Sequence, residues 1–210
     1  IAFDVGSHNL IDPFNGILDL QQNILKAVGS AEERFAEDPL RILRMIRFGD
    51  AQGRTIEADT LAAAKKHVQL LERVSCERVK TELDKILMSD LPQLGIRKIL
   101  EIGALPYTIP ELIHAVGFEQ NKYHIHDVFD HTMWVLERTP RDLILRWSAI
   151  FHDVGKPHTL SVDDDGSRHF YSHETVSEDL AKSRMKELRF STDDTRAISS
   201  IVRHHMRPLD

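Results

Sequence analysis

Residues 149–160 read AIFHDVGKPHTL: an apolar run, a histidine beside an aspartate, then a Gly-Lys-Pro break. The run reads as a helix end, because Gly155 and Pro157 punctuate the chain directly after it. Why His152 and Asp153 stand together at that end depends on where the other histidines fall. Of twelve, His8, His67 and His114 are scattered and nine lie beyond residue 120. Histidine crowded into one half points to metal chemistry there, since neutral imidazole is a common transition-metal ligand.

Around this stretch the second half reads as four helices, roughly 126–138, 141–155, 172–188 and 191–206. A small hairpin is expected around VDDDGSRHFYS, residues 162–172. His131 falls on the first helix, with Val128, Met133, Val135 and Leu136 as core positions. His152 and Asp153 end the second, His173 opens the third, and His204 and His205 close the fourth. A bundle can converge such residues on one point. The expected metal ligands are therefore His131, His152, Asp153, His173, His204 and His205. Imidazole suits Zn, Fe, Ni or Co, and the carboxylate adds hard-oxygen character suited to Mn or Mg. A bound cation lowers the pKa of a coordinated water and polarises a phosphoryl oxygen. Asp153 can bridge two metals if both sets of histidines are used. Paired histidines at a helix end also complement its dipole; it is the several positions taken together that argue for a metal.

His131 followed by His152-Asp153 and Gly-Lys-Pro resembles the HD-domain superfamily of metal-dependent phosphohydrolases. His173 and the His204-His205 pair resemble the extra ligands of its binuclear members. The resemblance implies hydrolysis of a phosphomonoester or phosphodiester at a divalent metal (Mg, Mn, Ni, Co or Fe), with His152 and Asp153 catalytic. It puts Lys156 at the lysine of the family's HDxGK motif, where it holds a phosphate. The family also has a late aspartate ligand, for which Asp210, the last residue, is the candidate in this sequence.

The rest of the composition is that of a globular chain: 41% apolar and 29% charged over 210 residues. One cysteine, Cys76, permits no intramolecular disulfide, so a reducing, cytoplasmic compartment is expected. No apolar run approaches the ~20 residues of a membrane span, so no membrane partner is expected. A net charge of −6 argues against nucleic acid wrapped over the whole surface and leaves room for a local basic face. Trp134 and Trp147 are expected in the core rather than at an interface, and oligomeric state is left open.

The front half opens on IAFDVGSHNLIDPF, a strand–turn–strand over residues 1–4 and 9–11. A chain rarely begins inside a hairpin, so a preceding segment is expected. FNGILDLQQNIL follows as a short helix or strand. A capped helical segment begins at Ser30, with Pro39 in a first-turn position and Leu40, Leu43, Ile46 and Phe48 as its apolar stripe. Further helices are expected over 57–71, 75–90 and 91–105, with a boundary near 105–122.

Within RFAEDPLRILRMIRF, residues 34–48, Asp38 and Arg41 are three apart, which puts them on one helix face, with Arg44 a turn further on. A carboxylate accepts hydrogen bonds and a guanidinium donates a rigid fork, so the pair can match the Watson–Crick edge of a base. Arg44 and Arg47 can neutralise phosphates. In isolation an Asp–Arg pair is a common surface ion pair. It is not isolated: LIDPFNGILDL, RFAEDPLRILRMIRF and SCERVKTELDKIL occur in this order and spacing. Together they resemble class II tRNA nucleotidyltransferases and their poly(A) polymerase relatives. Asn15 stands where that pattern has the first of two glycines, and Asn tolerates the turn geometry.

The resemblance implies a mainly α fold: a remnant of the catalytic head over 1–28, neck and body helices that bind RNA and nucleotide over 29–110, and an HD bundle over 120–210. It assigns the choice of CTP or ATP to Asp38 and Arg41. Glu37 matches the neighbouring glutamate, and Glu77 and Arg78 the motif that scaffolds the reading helix. The implied partners are tRNA or another RNA, along the face of residues 41–85, and a nucleotide. The head's metal-binding carboxylate pair is not found in these residues, so by themselves they are expected not to add nucleotides. Two other readings stand beside this one: an RNA-binding module with a non-catalytic HD fold, and an HD hydrolase of free nucleotides with the front half as an oligomerisation region.

Overall fold

The computed structural model describes residues 1–119 and 127–207. The link histidines His124 and His126 and the candidate late ligand Asp210 lie outside them. The fold is mainly α, as expected.

The chain opens on an antiparallel hairpin, β1 (Ala2–Asp4) with β2 (Asn9–Ile11), in the register Ala2↔Ile11. The helix α1 (Gly16–Gln21) follows, its first turn anchored by Asp12, whose carboxylate accepts from the Gly16 and Ile17 amides at 2.8 Å each. Asn15 takes the left-handed conformation at φ 57, the turn geometry anticipated for it. A parallel pair that periodicity does not announce, β3 (Ile24–Leu25) with β4 (Thr55–Ile56), then ties this region to the helices that follow.

The segment from Ser30 forms two helices rather than one. Ser30 caps α2 (Ala31–Glu37) by accepting from the Glu33 amide at 3.3 Å. The chain leaves the helix at Asp38, φ −143 and ψ 99, because the residue before a proline is forced out of the α region. It resumes as α3 (Arg41–Phe48). Leu40, Leu43 and Ile46 are buried as the stripe requires, but Phe48 is exposed, with the Arg47 guanidinium 4.0 Å from its ring centroid. The remaining helices of the first half are α4 (Ala58–His67), α5 (Cys76–Leu87) and α6 (Pro92–Glu101). Helix α4 is shorter than the 57–71 expected, its continuation tightening into a 3-10 turn over Val68–Arg73.

The second half follows the expected order: α7 (Val128–Arg138), α8 (Leu143–Phe151), a small hairpin β5 (Ser161–Val162) with β6 (Arg168–His169), α9 (His173–Glu187) and α10 (Thr192–His204). Trp147 is fully buried, but Trp134, expected in the core, is 47% exposed, and Val135 is half-buried. The apolar stripe of α7 runs through Val128, Met133 and Leu136, and Trp134 lies off that face.

The buried apolar residues form one continuous cluster through both halves. Helix α5 packs on α8, and α6 on α7. At this junction the buried Arg146 donates to the carbonyl oxygens of Leu87 and, at 2.9 Å, Ser89, so one guanidinium satisfies carbonyls at the end of α5. The Trp147 indole donates to Asp84 Oδ1 at 2.8 Å. Arg97 pairs with Asp130 at 2.6 Å across the same boundary. Among the described residues no helix is long and apolar enough to cross a membrane.

Candidate metal centre and nucleotide-reading helix

Helix α8 is capped by Asp142, whose carboxylate accepts from the Leu145 amide at 2.9 Å, and it delivers His152 and Asp153 at its far end. Asp153 is 1% exposed. Its two oxygens face different partners. Oδ1 lies 3.3 Å from His173 Nε2 and 3.4 Å from His205 Nε2. Oδ2 lies 3.2 Å from His152 Nε2 and 3.5 Å from His131 Nε2, and accepts from Lys156 Nζ at 2.7 Å. Two groups of candidate ligand atoms result, one of His131, His152 and Asp153 and one of Asp153, His173 and His205, each within 4.8 Å of one another.

Three of the imidazoles are oriented by the same local device. The Nδ1 of His152, His173 and His205 lies 2.7, 2.8 and 2.7 Å from the carbonyl oxygens of Ala149, Phe170 and Val202, each three residues earlier. A carbonyl can only accept, so Nδ1 carries the proton and Nε2 presents its lone pair to the centre. The consequence is electrostatically awkward without a cation. His173 Nε2 and His205 Nε2 stand 3.2 Å apart, while His152 Nε2 and Asp153 Oδ1 are buried with no hydrogen bond. Buried acceptors converging without a donor need a metal or protons between them. The donor set fits divalent cations.

The charge states agree with that description. Burial opposes ionisation of Asp153. With protons rather than a metal between the groups, the attraction of His152 and bonds from the Nε2–H of His152, His173 and His205 outweigh it and hold the carboxyl well below its ordinary value. Burial lowers the pKa of His205, but its bonds to Asp153 and the Val202 carbonyl raise it on balance above 6.5. A metal entering here displaces protons, so its affinity rises with pH.

Of the expected ligands, the centre gathers His131, His152, Asp153, His173 and His205. His204 is not among them: its ring is exposed and its Nδ1 turns back to the Ser200 carbonyl at 2.9 Å. Adjacent helical residues face about 100° apart, so only one of the pair can point inward. Lys156 is 7% exposed, beside Asp153 and 5.9 Å from the Phe170 ring centroid.

Sequence reasoning missed the supports. Gly155 donates its amide to Ser177 Oγ at 2.9 Å, and a Cβ there would sit 2.3 Å from the His173 carbonyl oxygen and 2.7 Å from the Ser177 amide. This approach sets α9 against the His-Asp turn. Gly155→Ala is expected to push His173 out of line, with metal content falling and stability dropping by about 1–3 kcal/mol; elemental analysis and thermal melting of the variant check both. Nothing in the local sequence marks Ser177 as the partner.

The segment expected to read the nucleotide departs from the expected pair. Asp38 and Arg41 do not hydrogen-bond through their side chains. Asp38 Oδ2 accepts from Arg78 at 2.9 Å and Oδ1 from the Leu40 amide at 3.2 Å. Arg41 donates to Glu37 at 2.6 Å and to the Arg34 carbonyl at 3.1 Å. The break at Pro39 takes Asp38 off the face of α3. Arg78 on α5 reaches it, in line with the scaffolding expected of the third motif. Arg47 pairs with the buried Glu82 at 3.0 Å and is therefore held inward. Arg41 and Arg44, with Arg34 and Lys26, line a cavity of about 430 Å³ in which no carboxylate is found among the described lining residues.

Residues 53–116 match the family described as the probable RNA- and SrmB-binding site of polymerase A, and residues 122–210 match the HD domain. An A-adding tRNA nucleotidyltransferase from Deinococcus radiodurans is 34% identical over 211 residues, covering 95% of this chain and 48% of that protein. A CC-adding tRNA nucleotidyltransferase from Thermus thermophilus is 32% identical over 204 residues, 91% of this chain and 46% of its own. A solved tRNA-processing enzyme with CTP shares the fold at a TM-score of 0.62 and 17% identity, over 94% of this chain and 48% of its own. The chain thus spans about half the length of the relatives it matches.

Proposed function

Since this chain belongs, by its RNA-binding segment and its HD domain, to the family of class II tRNA nucleotidyltransferases and poly(A) polymerases, we propose that it joins a nucleotide-reading helix to a metal-dependent phosphohydrolase. The hydrolase acts on phosphate ends of RNA, such as 2′,3′-cyclic phosphates and 2′-nucleotides. The observation that carries this reading is Asp153, one carboxylate turned through separate oxygens toward two histidine pairs.

A divalent cation held there supplies an acidified water and withdraws charge from a phosphoryl oxygen. The chain's residues do the rest. Carbonyl bonds at Nδ1 keep three imidazoles in the ligating tautomer. Lys156 offsets the Asp153 charge and brings an ammonium to a substrate phosphate. The test is turnover of 2′,3′-cyclic nucleotides and 2′-AMP by the purified protein with Ni, Mn, Co or Mg. Activity above a His152→Ala control is expected. No turnover, with no bound transition metal, would leave an RNA-binding module with an inert HD fold.

At the other end, Asp38 and Arg41 choose between CTP and ATP in the full-length enzyme, while Lys26, Arg34, Arg41 and Arg44 offer cationic groups to phosphates of nucleotide or RNA. Residues 1–210 alone are expected to bind nucleotide without adding it. Asp38→Ala in the full-length protein is expected to relax the CTP/ATP preference roughly 10-fold, the scale of a lost charged hydrogen bond, with unfolding unchanged. Arg78→Ala is expected to give much of the same effect. Incorporation assays with competing CTP and ATP check both; an unaltered preference would reduce Asp38 to an ion-pair residue.

A further inference from the structure

The cavity over the metal centre, about 400 Å³, is lined on its outer side by Arg168, His169, Phe170, Tyr171 and Met206. Phe170 is fixed: its ring packs on Phe118 at 6.0 Å between centroids, and its carbonyl holds His173. Tyr171 is not fixed in this way. It is 69% exposed, yet its ring lies parallel to and offset from that of His169, centroids 5.2 Å apart and planes within 7°. His169 is in turn braced by Asp163 at 2.9 Å from its Nε2. Immediately after Tyr171, Ser172 sits at φ 61, a left-handed conformation costly for a non-glycine residue. This bend separates Tyr171 in solvent from the ligand His173, which is 5% exposed. Trp134, a second exposed ring near the centre, stacks on His131 and already carries the Arg138 guanidinium 4.2 Å from its centroid.

We propose that Tyr171, backed by His169 at the mouth of the metal centre, is the platform on which the base of a nucleotide or RNA terminus stacks while its phosphate lies at Asp153 and Lys156. This rests on the phosphohydrolase reading of that centre. An aromatic face backed by a parallel ring on one side and open on the other suits a nucleobase of any identity, because every base offers a π-face. Such a site gives preference for nucleoside phosphates over base-free phosphate esters and little choice among bases.

The test compares the wild-type protein with Tyr171→Ala and Tyr171→Phe, using 2′,3′-cyclic AMP and the base-free glycerol 1,2-cyclic phosphate as substrates. Tyr171→Ala is expected to raise KM for the cyclic nucleotide roughly 5- to 150-fold, the span of one base–aromatic stack. Its kcat and its kinetics on the base-free ester are expected to stay unchanged, and Tyr171→Phe is expected to behave as wild type. Equal losses on both substrates would make Tyr171 structural and overturn the proposal, as would no change on either. Calorimetric binding of 2′-AMP and of inorganic phosphate gives a readout that needs no turnover. If nothing is hydrolysed but 2′-AMP binds more tightly than phosphate and Tyr171→Ala erases the difference, the platform stands and the hydrolase reading falls. Absence of that difference in the wild type overturns the platform.

Discussion

Asp153→Ala is expected to abolish phosphate-ester hydrolysis, by at least the ~100-fold that follows loss of even a ligand's supporting partner, and to lower bound metal in parallel. The reason is geometric. Asp153 is the one residue common to both groups of candidate ligand atoms. Removing it withdraws an oxygen from each, takes from Lys156 the carboxylate it donates to, and leaves the four imidazoles without the carboxylate that faces them all. Replacing His204, whose ring faces solvent, is expected to leave hydrolysis within about twofold, as surface substitutions usually do. Nucleotide addition by the full-length protein is expected to survive Asp153→Ala. The checks are metal content by elemental analysis, steady-state hydrolysis, and incorporation on the same preparations. Retained hydrolysis would remove Asp153 from the chemistry altogether.

Trp147→Ala is expected to lower stability by about 3–5 kcal/mol, with the melting temperature falling on the order of 6–20 °C. The side chain is fully buried, stacked on Phe151 at 5.5 Å and edge-on to Phe190 at 5.2 Å, and its indole N–H satisfies Asp84 on the body. The substitution opens a cavity and takes one of two donors from Asp84, which keeps Lys80 at 2.6 Å, and both terms have the same sign. Because the core runs through both halves, the loss is expected in a single transition seen alike by far-ultraviolet circular dichroism and calorimetry. Two transitions, with only one displaced, would mean that the halves unfold independently.

Most of the architecture was legible because its signals are local. The four helices of the second half and the opening hairpin follow from apolar periodicity, capping residues and turn residues. The convergence of His131, His152, Asp153, His173 and His205 was legible as a set because each stands at a helix end or on an inward face. Which of His204 and His205 points inward was not, since adjacent positions differ only by a rotation that the last turn of α10 decides. The shared face expected of Asp38 and Arg41 is absent for a related reason. A three-residue helical spacing does not carry across Pro39, because the proline ends the helix that the spacing needs. Trp134 was misplaced by hydrophobicity alone, although it lies off the stripe of Val128, Met133 and Leu136. The long-range pieces, Arg146 on the end of α5 and Ser177 against Gly155, lie 59 and 22 residues from their partners and leave no trace in local pattern.

The Arg146 clasp bears on how such a protein changes over generations. Because its guanidinium seals the carbonyl ends of a helix in the other half, the C-terminal bundle is not a detachable cassette. Deleting it would strip α5 of its terminal partners and uncover apolar surface that no solvent-facing side chain is ready to hide. A lineage with no further use for the metal is expected to erase the histidines one at a time and retain the scaffold around them, so that silent descendants keep the tryptophan and the arginine long after the ligands are gone.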